Sequence, residues 1–369
     1  MIDTVKLLLH KGQYQLIRRG ELHFSSTERG VKRYIRNPSS IELKAGVYLP
    51  KLTFIQRPSP LGIQETLAVE FSAPKLVYGN NFNELTDDDF TIVITNLEAA
   101  LKTMGVNVSS ESLIDAKVVA WHPSKNILFN EYFATQTVIN TLRKADVSRT
   151  YTDMKTDFSD GEAMHYHCNS KDIVVYDKLA DLLHSKVSDK RAKESHSQIQ
   201  HSLLDVLTAV ERLSILRFEL RFNGAAAVRR AVKPVLGTIS PTFEQVFSSQ
   251  LSRAVLIQHW HQLTTDVNYL GLDTGKPLDV LQNYLTEHDD MTPMSALAAV
   301  AALLVANQDG VRALRQTLDT RFGKHFWSRI KGLMQSPQPH QLKHFTHVEQ
   351  VLGEFESVNI SSLKALKSY

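Results

Sequence analysis

Two histidines flank a tyrosine in the segment His165-Tyr166-His167. If this segment is a strand, alternation puts both imidazoles on one face and the tyrosine on the other. Two imidazoles on one face can hold a single divalent metal ion. Histidines at this spacing are also common on solvated strands, so the motif alone leaves both a metal site and a solvated face open.

Tyr176 lies where an apolar strand, residues 173–175, meets a helix marked by Leu179 and Leu183. Counted back at helical spacing, Tyr176 shares the stripe of these leucines, so its hydroxyl could point toward groups on a sheet. A tyrosine in that position could attack a metal-bound phosphodiester and form a covalent intermediate. The alternative is a tyrosine at an element boundary that packs its ring in the core.

Glu219 stands between Arg217 and Arg221 in an alternating run, Leu216-Arg217-Phe218-Glu219-Leu220-Arg221-Phe222. The apolar residues of such a strand face one way and the three charged residues face the other. Beside a metal ion, Glu219 would supply an oxygen ligand and the arginines would clamp a phosphate. Away from a metal ion, it would be a salt-bridged surface residue.

Asp115 offers a second carboxylate. Residues 113–122 alternate with a period of two, which predicts a strand with Asp115 on its polar face beside Lys117. Asp115 is either a metal ligand or a solvated charge.

The composition limits the classes of protein that this chain can form. With 42 basic and 39 acidic residues among 369, the net charge is +3, which permits a nucleic-acid partner without requiring one. The single cysteine excludes an intramolecular disulfide framework and a multi-cysteine metal site. The first residues do not have the pattern of a signal peptide. The most apolar stretch, residues 294–306, is shorter than the ~20 residues that a membrane span requires. We therefore expect a soluble, intracellular protein.

The elements that would position these groups change in type along the chain. Short strands separated by turns dominate the first eighty or so residues, and helices and strands then alternate up to residue 222. After Gly224 the sequence is almost entirely helical. Gly, Ser and Pro cluster at residues 237–241, which marks a linker. The sequence predicts an α+β domain over residues 1–236, followed by a helical C-terminal domain over residues 237–369.

The order of these segments resembles the gene II replication initiators of filamentous phages, which are rolling-circle nickases of phages and plasmids. Five segments carry the resemblance: Met1-Ile2-Asp3, residues 69–81 ending in Gly79-Asn80-Asn81, Leu113-Ile114-Asp115-Ala116, residues 174–179, and residues 216–221. They follow one another in the same order as in the family.

The resemblance implies a fold like that of the HUH nucleases, an antiparallel sheet with flanking helices, one of which presents the tyrosine. It implies a metal-dependent, site-specific DNA endonuclease and strand-transferase. Tyr176 would attack a phosphodiester at the origin, remain joined to the 5′ phosphate, and release a 3′ hydroxyl that primes synthesis. A second transesterification would rejoin the displaced strand. The expected partners are duplex and single-stranded origin DNA, with a host helicase and polymerase, in the cytoplasm of a bacterial host and with no membrane.

The resemblance and the residue chemistry together define a set of candidate site residues. Tyr176 and Lys178 are the candidate catalytic residues. The candidate ligands of a divalent metal ion, Mg²⁺ or Mn²⁺, are His165, His167, Glu219 and Asp115. The candidate DNA contacts are Arg217, Arg221, Arg229, Arg230 and Lys233.

Two alternatives stay open. The first is a non-catalytic protein that binds the origin and recruits host enzymes, which is favoured by Leu113 where the family carries an arginine. The second is a metal-dependent hydrolase of another substrate, in which water attacks instead of Tyr176.

Overall fold

A computed structural model describes most of the chain and divides it into two compact units. The described residues are 1–28, 30–39, 41–42, 48–60, 62–131, 133–146, 153–155, 162–168, 170–184, 213–265, 277–288, 290–334 and 343–360. The first unit consists of Met1–Tyr132, Asn169–Leu256 and Glu354–Tyr369, and the second of Phe133–Cys168 and Ile257–Gly353. Both units are therefore built from separated parts of the sequence.

An antiparallel sheet forms the body of the first unit. Its order is β3-β4-β5-β6-β1-β8-β12-β11. The strands are β1 (Ile2–His10), β3 (His23–Glu28), β4 (Val31–Arg36), β5 (Lys51–Ser59), β6 (Gly62–Ser72), β8 (Lys117–Phe129), β11 (Lys171–Asp177) and β12 (Ser214–Phe222). Two short strands, β2 (Gln15–Leu16) and β7 (Val106–Asn107), pair separately.

Alternation gives this sheet one apolar and one polar face. On β1, Val5, Leu7 and Leu9 are fully buried on the apolar face, where the aromatic rings of Trp121 and Phe222 also stack. Phe71 of β6 is buried on this face, and its ring packs against the ring of Phe243, which belongs to a short helix, at a centroid distance of 5.6 Å. Helical segments therefore cover the apolar face. The polar face carries Arg217 and the other charged residues of β12.

The helices of the first unit are short. They are α1 (Ala73–Tyr78), α2 (Phe90–Thr103), α3 (Ser110–Ile114), α5 (Lys178–His184), α6 (Ala225–Leu236) and α7 (Phe243–Val246), and α8 (Ser249–Thr264) begins in this unit. Thr86 and Asp89 form a capping box at a 3₁₀ turn, Asp87–Asp89, directly before α2.

A segment near the end of the chain, residues 355–360, returns to the first unit. We call it the return segment. Val358 N–H donates to Glu84 Oε2 (3.0 Å), Glu84 N–H donates to the Val358 carbonyl (2.9 Å), and Lys125 Nζ donates to the Glu356 carbonyl (2.6 Å). The Val358 side chain is buried in an apolar cluster with Phe82, Leu182, Leu213 and Ile215. The first unit is thus completed by residues translated long after its strands.

The second unit is mainly helical. It contains α4 (Ala134–Lys144), α9 (Pro277–Glu287), α10 (Pro293–Asp309), α11 (Val311–Phe322), α12 (Lys324–Leu333) and α13 (Lys343–Glu354), with the antiparallel strands β9 (Asp153–Lys155) and β10 (Ala163–Cys168). Among the described residues, no helix is long and apolar enough to cross a membrane.

The predicted mixture of a large antiparallel sheet, flanking helices and a helical C-terminal region is confirmed. The predicted boundary at residue 236 is not where the two units separate. Thr242 forms a bridge with Lys117 of β8, and Phe243 N–H donates to the Ala116 carbonyl (3.0 Å). These contacts hold α7 in the first unit, and residues 133–168, assigned by sequence to the first domain, belong to the second unit.

Candidate active site

The polar face of the sheet gathers side chains from three neighbouring strands. Arg217 of β12 lies opposite Asn126 of β8 and Tyr176 of β11, and Glu219 lies opposite Ser124. Directly opposed residues in antiparallel strands project from the same face. Strand register therefore brings these groups together, although up to 95 positions separate them in the sequence.

Arg217 is the centre of this cluster and is only 2% exposed. Its Nη2 lies 3.0 Å from Asp3 Oδ1 and donates to Ser124 Oγ (2.9 Å), and its Nη1 donates to the Asn81 carbonyl (2.8 Å). Burial by itself would lower the pKa of Arg217, but the surrounding groups, with Tyr176 and Asp3 foremost, outweigh it and raise the pKa. Arg217 therefore stays charged, with both terminal nitrogens donating to groups of the protein.

Glu219 is held as an anion by the two arginines beside it. Arg221 Nε donates to Glu219 Oε1 (2.7 Å), and Arg217 Nε lies 3.6 Å from Oε2. Burial would raise the pKa of Glu219, but Arg221 and Arg217 outweigh burial and lower the pKa to about 2. Both carboxylate oxygens face guanidinium groups, so a metal ion at Glu219 would have to displace them.

Lys178 is completely buried at the start of α5. Its Nζ donates to Asn81 Oδ1 (3.2 Å) and Asp181 Oδ2 (3.3 Å), and lies 5.7 Å from the centroid of the Tyr176 ring. Burial, with the nearby charge of Arg217, lowers the pKa of Lys178 to about 8. The Lys178 ammonium group is therefore easier to deprotonate than that of an exposed lysine.

Tyr176 is the next-to-last residue of β11, and α5 begins two residues later. The prediction that a helix presents this tyrosine is wrong, because Asp177 ends the strand and caps the helix: its Oδ1 accepts from the N–H groups of Leu179 (2.9 Å) and Ala180 (3.0 Å). The ring is half-buried. Burial raises the pKa of Tyr176 well above its ordinary value, and Glu219 contributes in the same direction.

A tight turn after α1 supplies Asn81. Gly79 ends α1 in the left-handed conformation (φ 68°), and Asn80 Oδ1 accepts from the N–H groups of Phe82 and Asn83 (3.0 Å each). This turn directs the Asn81 amide toward Lys178 and its carbonyl toward Arg217.

Sequence analysis did not assign roles to Asp3, Asn81, Ser124 or Asn126. For Asp3 and Asn81 there was a signal, because both lie in segments that carry the family resemblance. For Ser124 and Asn126 there was none, because only the register of β8 against β12 brings them to Arg217.

His165 and His167 lie on one face of β10, as predicted, with ring centroids 5.7 Å apart. Tyr166 is on the opposite face, fully buried, and its hydroxyl donates to the Leu142 carbonyl (2.7 Å). Two imidazoles on one face of a strand are donors that suit several divalent ions.

The other two predicted ligands, Glu219 and Asp115, belong to the first unit. Glu219 is paired with the arginines instead. Asp115 is exposed at the C-terminal end of α3, because residues 110–114 form a helix and β8 begins only at Lys117. The predicted strand over residues 113–122 is therefore wrong in its first four residues.

The basic residues predicted to contact DNA occur in two places. Arg217 and Arg221 are on the polar sheet face, where Arg221 is 36% exposed. Arg229, Arg230 and Lys233 are exposed on α6, opposite the helix face that buries Val228 and Val232. Their contact with DNA stays a prediction.

Comparisons with known proteins give no match. No protein-family model, no curated protein and no solved structure is similar to this chain at a significant level.

Proposed function

We propose that this protein is a rolling-circle replication initiator that nicks one strand of a phage or plasmid origin by tyrosine transesterification. One observation carries the proposal. Residues from four of the five segments that resemble the gene II initiators, including Asp3, Asn81, Tyr176, Lys178 and Glu219, meet around Arg217 on one face of the sheet.

The chemistry would be a phosphoryl transfer in which no phosphodiester is lost. The phenolic oxygen of Tyr176 bonds to phosphorus, and the bond from phosphorus to the 3′ oxygen breaks. The phenolic proton passes to a base, and the departing 3′ oxygen gains a proton. The reverse reaction, with a 3′ hydroxyl as nucleophile, rejoins the strand, so no nucleotide cofactor is required.

Two side chains near Tyr176 suit this reaction. Lys178, with a pKa of about 8, can accept and return a proton near neutral pH. Arg221 is partly exposed beside Glu219, so it can contact an incoming phosphate while Arg217 stays engaged with Asp3.

A divalent metal ion, Mg²⁺ or Mn²⁺, is part of the proposal. His165 and His167, on one face of β10, would hold it. When bound, the ion would polarise the phosphate and offset negative charge in the transition state. The antiparallel sheet is compatible with the HUH-nuclease fold, with the difference that the tyrosine lies on a strand.

A covalent-adduct assay tests this function. Wild-type protein and the variant Tyr176→Phe are incubated with labelled, supercoiled origin DNA and Mg²⁺ or Mn²⁺ and separated under denaturing conditions. Tyr34→Phe is the matched control, because Tyr34 lies on β4 and packs its ring against Phe24 and Phe54. We expect an adduct with wild type and Tyr34→Phe and none with Tyr176→Phe. An adduct in all three would assign the nucleophile to another residue.

The alternative function is non-catalytic origin binding with recruitment of host enzymes. The raised pKa of Tyr176 favours it, because a phenol that resists ionisation is a weak nucleophile without a base or a metal ion. This alternative predicts salt-sensitive origin binding by wild type, with no nick and no adduct at any divalent metal ion.

A further inference from the structure

A surface cavity of about 300 Å³ lies within the second unit, where the end of α4 meets the start of α11. Its lining residues are Arg143, Lys144, Ala145, Asp309, Gly310, Arg312, Ala313 and Gln316. Three of these side chains are cationic and one is anionic. The size is at the lower end of the range for small-molecule sites, which suits one or two phosphate groups.

The cations of this cavity have unused hydrogen-bonding capacity. Among the described residues, Lys144 and Arg312 have neither an ion pair nor a side-chain hydrogen bond. Arg143 Nη1 donates to Asn140 Oδ1 (3.1 Å) and Nη2 to the Ala163 carbonyl (2.8 Å), while its buried Nε has no partner in the described structure. A buried N–H without an acceptor is costly unless a ligand or water supplies one.

Arg315 is on the same helix as Arg312 but, unlike Arg312, has an ion-pair partner among the described residues. Its Nη1 lies 2.6 Å from Asp146 Oδ2, so its charge is neutralised by the protein. The second unit therefore pairs one arginine of α11 internally and leaves another, Arg312, directed to the cavity.

The backbone at the cavity adds to its positive potential. Gly310 precedes α11 with φ +93°, and a Cβ at this position would lie 3.3 Å from the Lys144 carbonyl oxygen, so glycine permits the close approach of the two helices. No side chain caps the start of α11. The first N–H groups of a helix have no acceptor within the helix.

We propose that this cavity binds a phosphate group, with Arg143, Lys144 and Arg312 as its cationic contacts. The phosphate could belong to a nucleic-acid backbone or to a small phosphate compound, and the chemistry of recognition is the same in both. None of the lining residues belongs to the candidate active site, so the proposal does not depend on nicking by Tyr176.

Isothermal titration calorimetry with pyrophosphate, and separately with a short single-stranded oligonucleotide, tests the proposal. The variants are Arg312→Gln and, as a matched control, Arg321→Gln, which removes the same charge from an exposed position in the last turn of α11. We expect Arg312→Gln to weaken binding about tenfold, the size expected for a lost charge-assisted hydrogen bond, and Arg321→Gln to leave it unchanged. Lys144→Gln serves as a second cavity variant, and thermal melting checks that each variant is folded.

The outcomes separate the sources of the phosphate. If Arg312→Gln weakens the binding of pyrophosphate only, the cavity binds small phosphate compounds. If it weakens the binding of the oligonucleotide only, the cavity binds a nucleic-acid backbone. The proposal is overturned if Arg312→Gln and Arg321→Gln change the affinity for both probes equally, or if wild type binds neither probe.

Discussion

Arginines are paired with carboxylates on the polar face of the sheet, whereas an arginine without a carboxylate partner among the described residues lines the cavity of the second unit. On the sheet, Arg217 is 2% exposed, and Asp3 and Glu219 lie beside it. In the cavity, Arg312 has no carboxylate partner among the described residues. A buried, paired charge orders the groups around it, whereas an unpaired charge at a cavity is available to a ligand. The first arrangement fits a site whose geometry must be fixed in advance, and the second fits a site that is completed by its ligand.

The largest expected effect is on stability at the centre of the sheet. Arg217→Ala would remove the ion-pair partner of Asp3 and leave Glu219 with Arg221 alone, so we expect a loss of about 3–5 kcal/mol in the free energy of unfolding. Urea denaturation followed by circular dichroism measures it. Arg229→Ala, at an exposed position of α6, is the control and should change stability by less than about 0.5 kcal/mol. A small effect of Arg217→Ala would mean that Arg217 does not organise the polar face of the sheet.

A smaller effect is expected at Lys178, and it depends on pH. The folded-state pKa of about 8 is below the ordinary lysine pKa of 10.5, so the folded protein releases this proton at a lower pH than the unfolded chain does. Stability should therefore rise as pH increases from about 8 to about 10.5, by up to about 3 kcal/mol. Urea midpoints measured from pH 7 to 10.5 would show this rise in wild type, and Lys178→Met should flatten it. An unchanged alkaline profile in the variant would mean that Lys178 is not the buried titrating group.

The smallest expected effect is at the cavity. Arg312 has no internal partner to lose, so Arg312→Gln should change the free energy of unfolding by no more than about 0.5 kcal/mol without added ligand. Added pyrophosphate should then stabilise wild type more than the variant, because a ligand of the folded state raises stability by mass action. Thermal melting with and without pyrophosphate measures both quantities. A large loss of stability in Arg312→Gln without ligand would mean that Arg312, like Arg217, stabilises the fold.

Sequence alone was sufficient where a pattern depends on neighbouring residues. Alternation over residues 216–222 predicted that Glu219 and both arginines share one face, and the same rule placed His165 and His167 together. At residues 113–116 the alternating pattern gave a wrong prediction, because a local side-chain hydrogen bond favours a helical turn there. Ser109 Oγ accepts from Ser112 N–H (3.2 Å) and starts a helical turn before Asp115, where alternation predicted a strand.

Contacts between residues far apart in the sequence could not be predicted, because they depend on the register of paired strands. Ser124 and Asn126 reach Arg217 only through the register of two strands about ninety positions apart. Asn81 could be noticed through the family resemblance, but its double contact with Lys178 and Arg217 depends on the turn that follows α1.

The return segment ties completion of the first unit to the order of protein synthesis. Lys125 and Glu356, which its hydrogen bond joins, are 231 positions apart. At roughly 5–20 residues per second, a ribosome needs roughly 12–46 s to make the chain between them. During that interval Glu84 has no Val358 N–H to accept from, and the cluster around Phe82 lacks the Val358 side chain. A nascent chain that stalls or is cleaved between residues 222 and 356 therefore carries both candidate catalytic residues, Tyr176 and Lys178, in a first unit that still lacks the return segment.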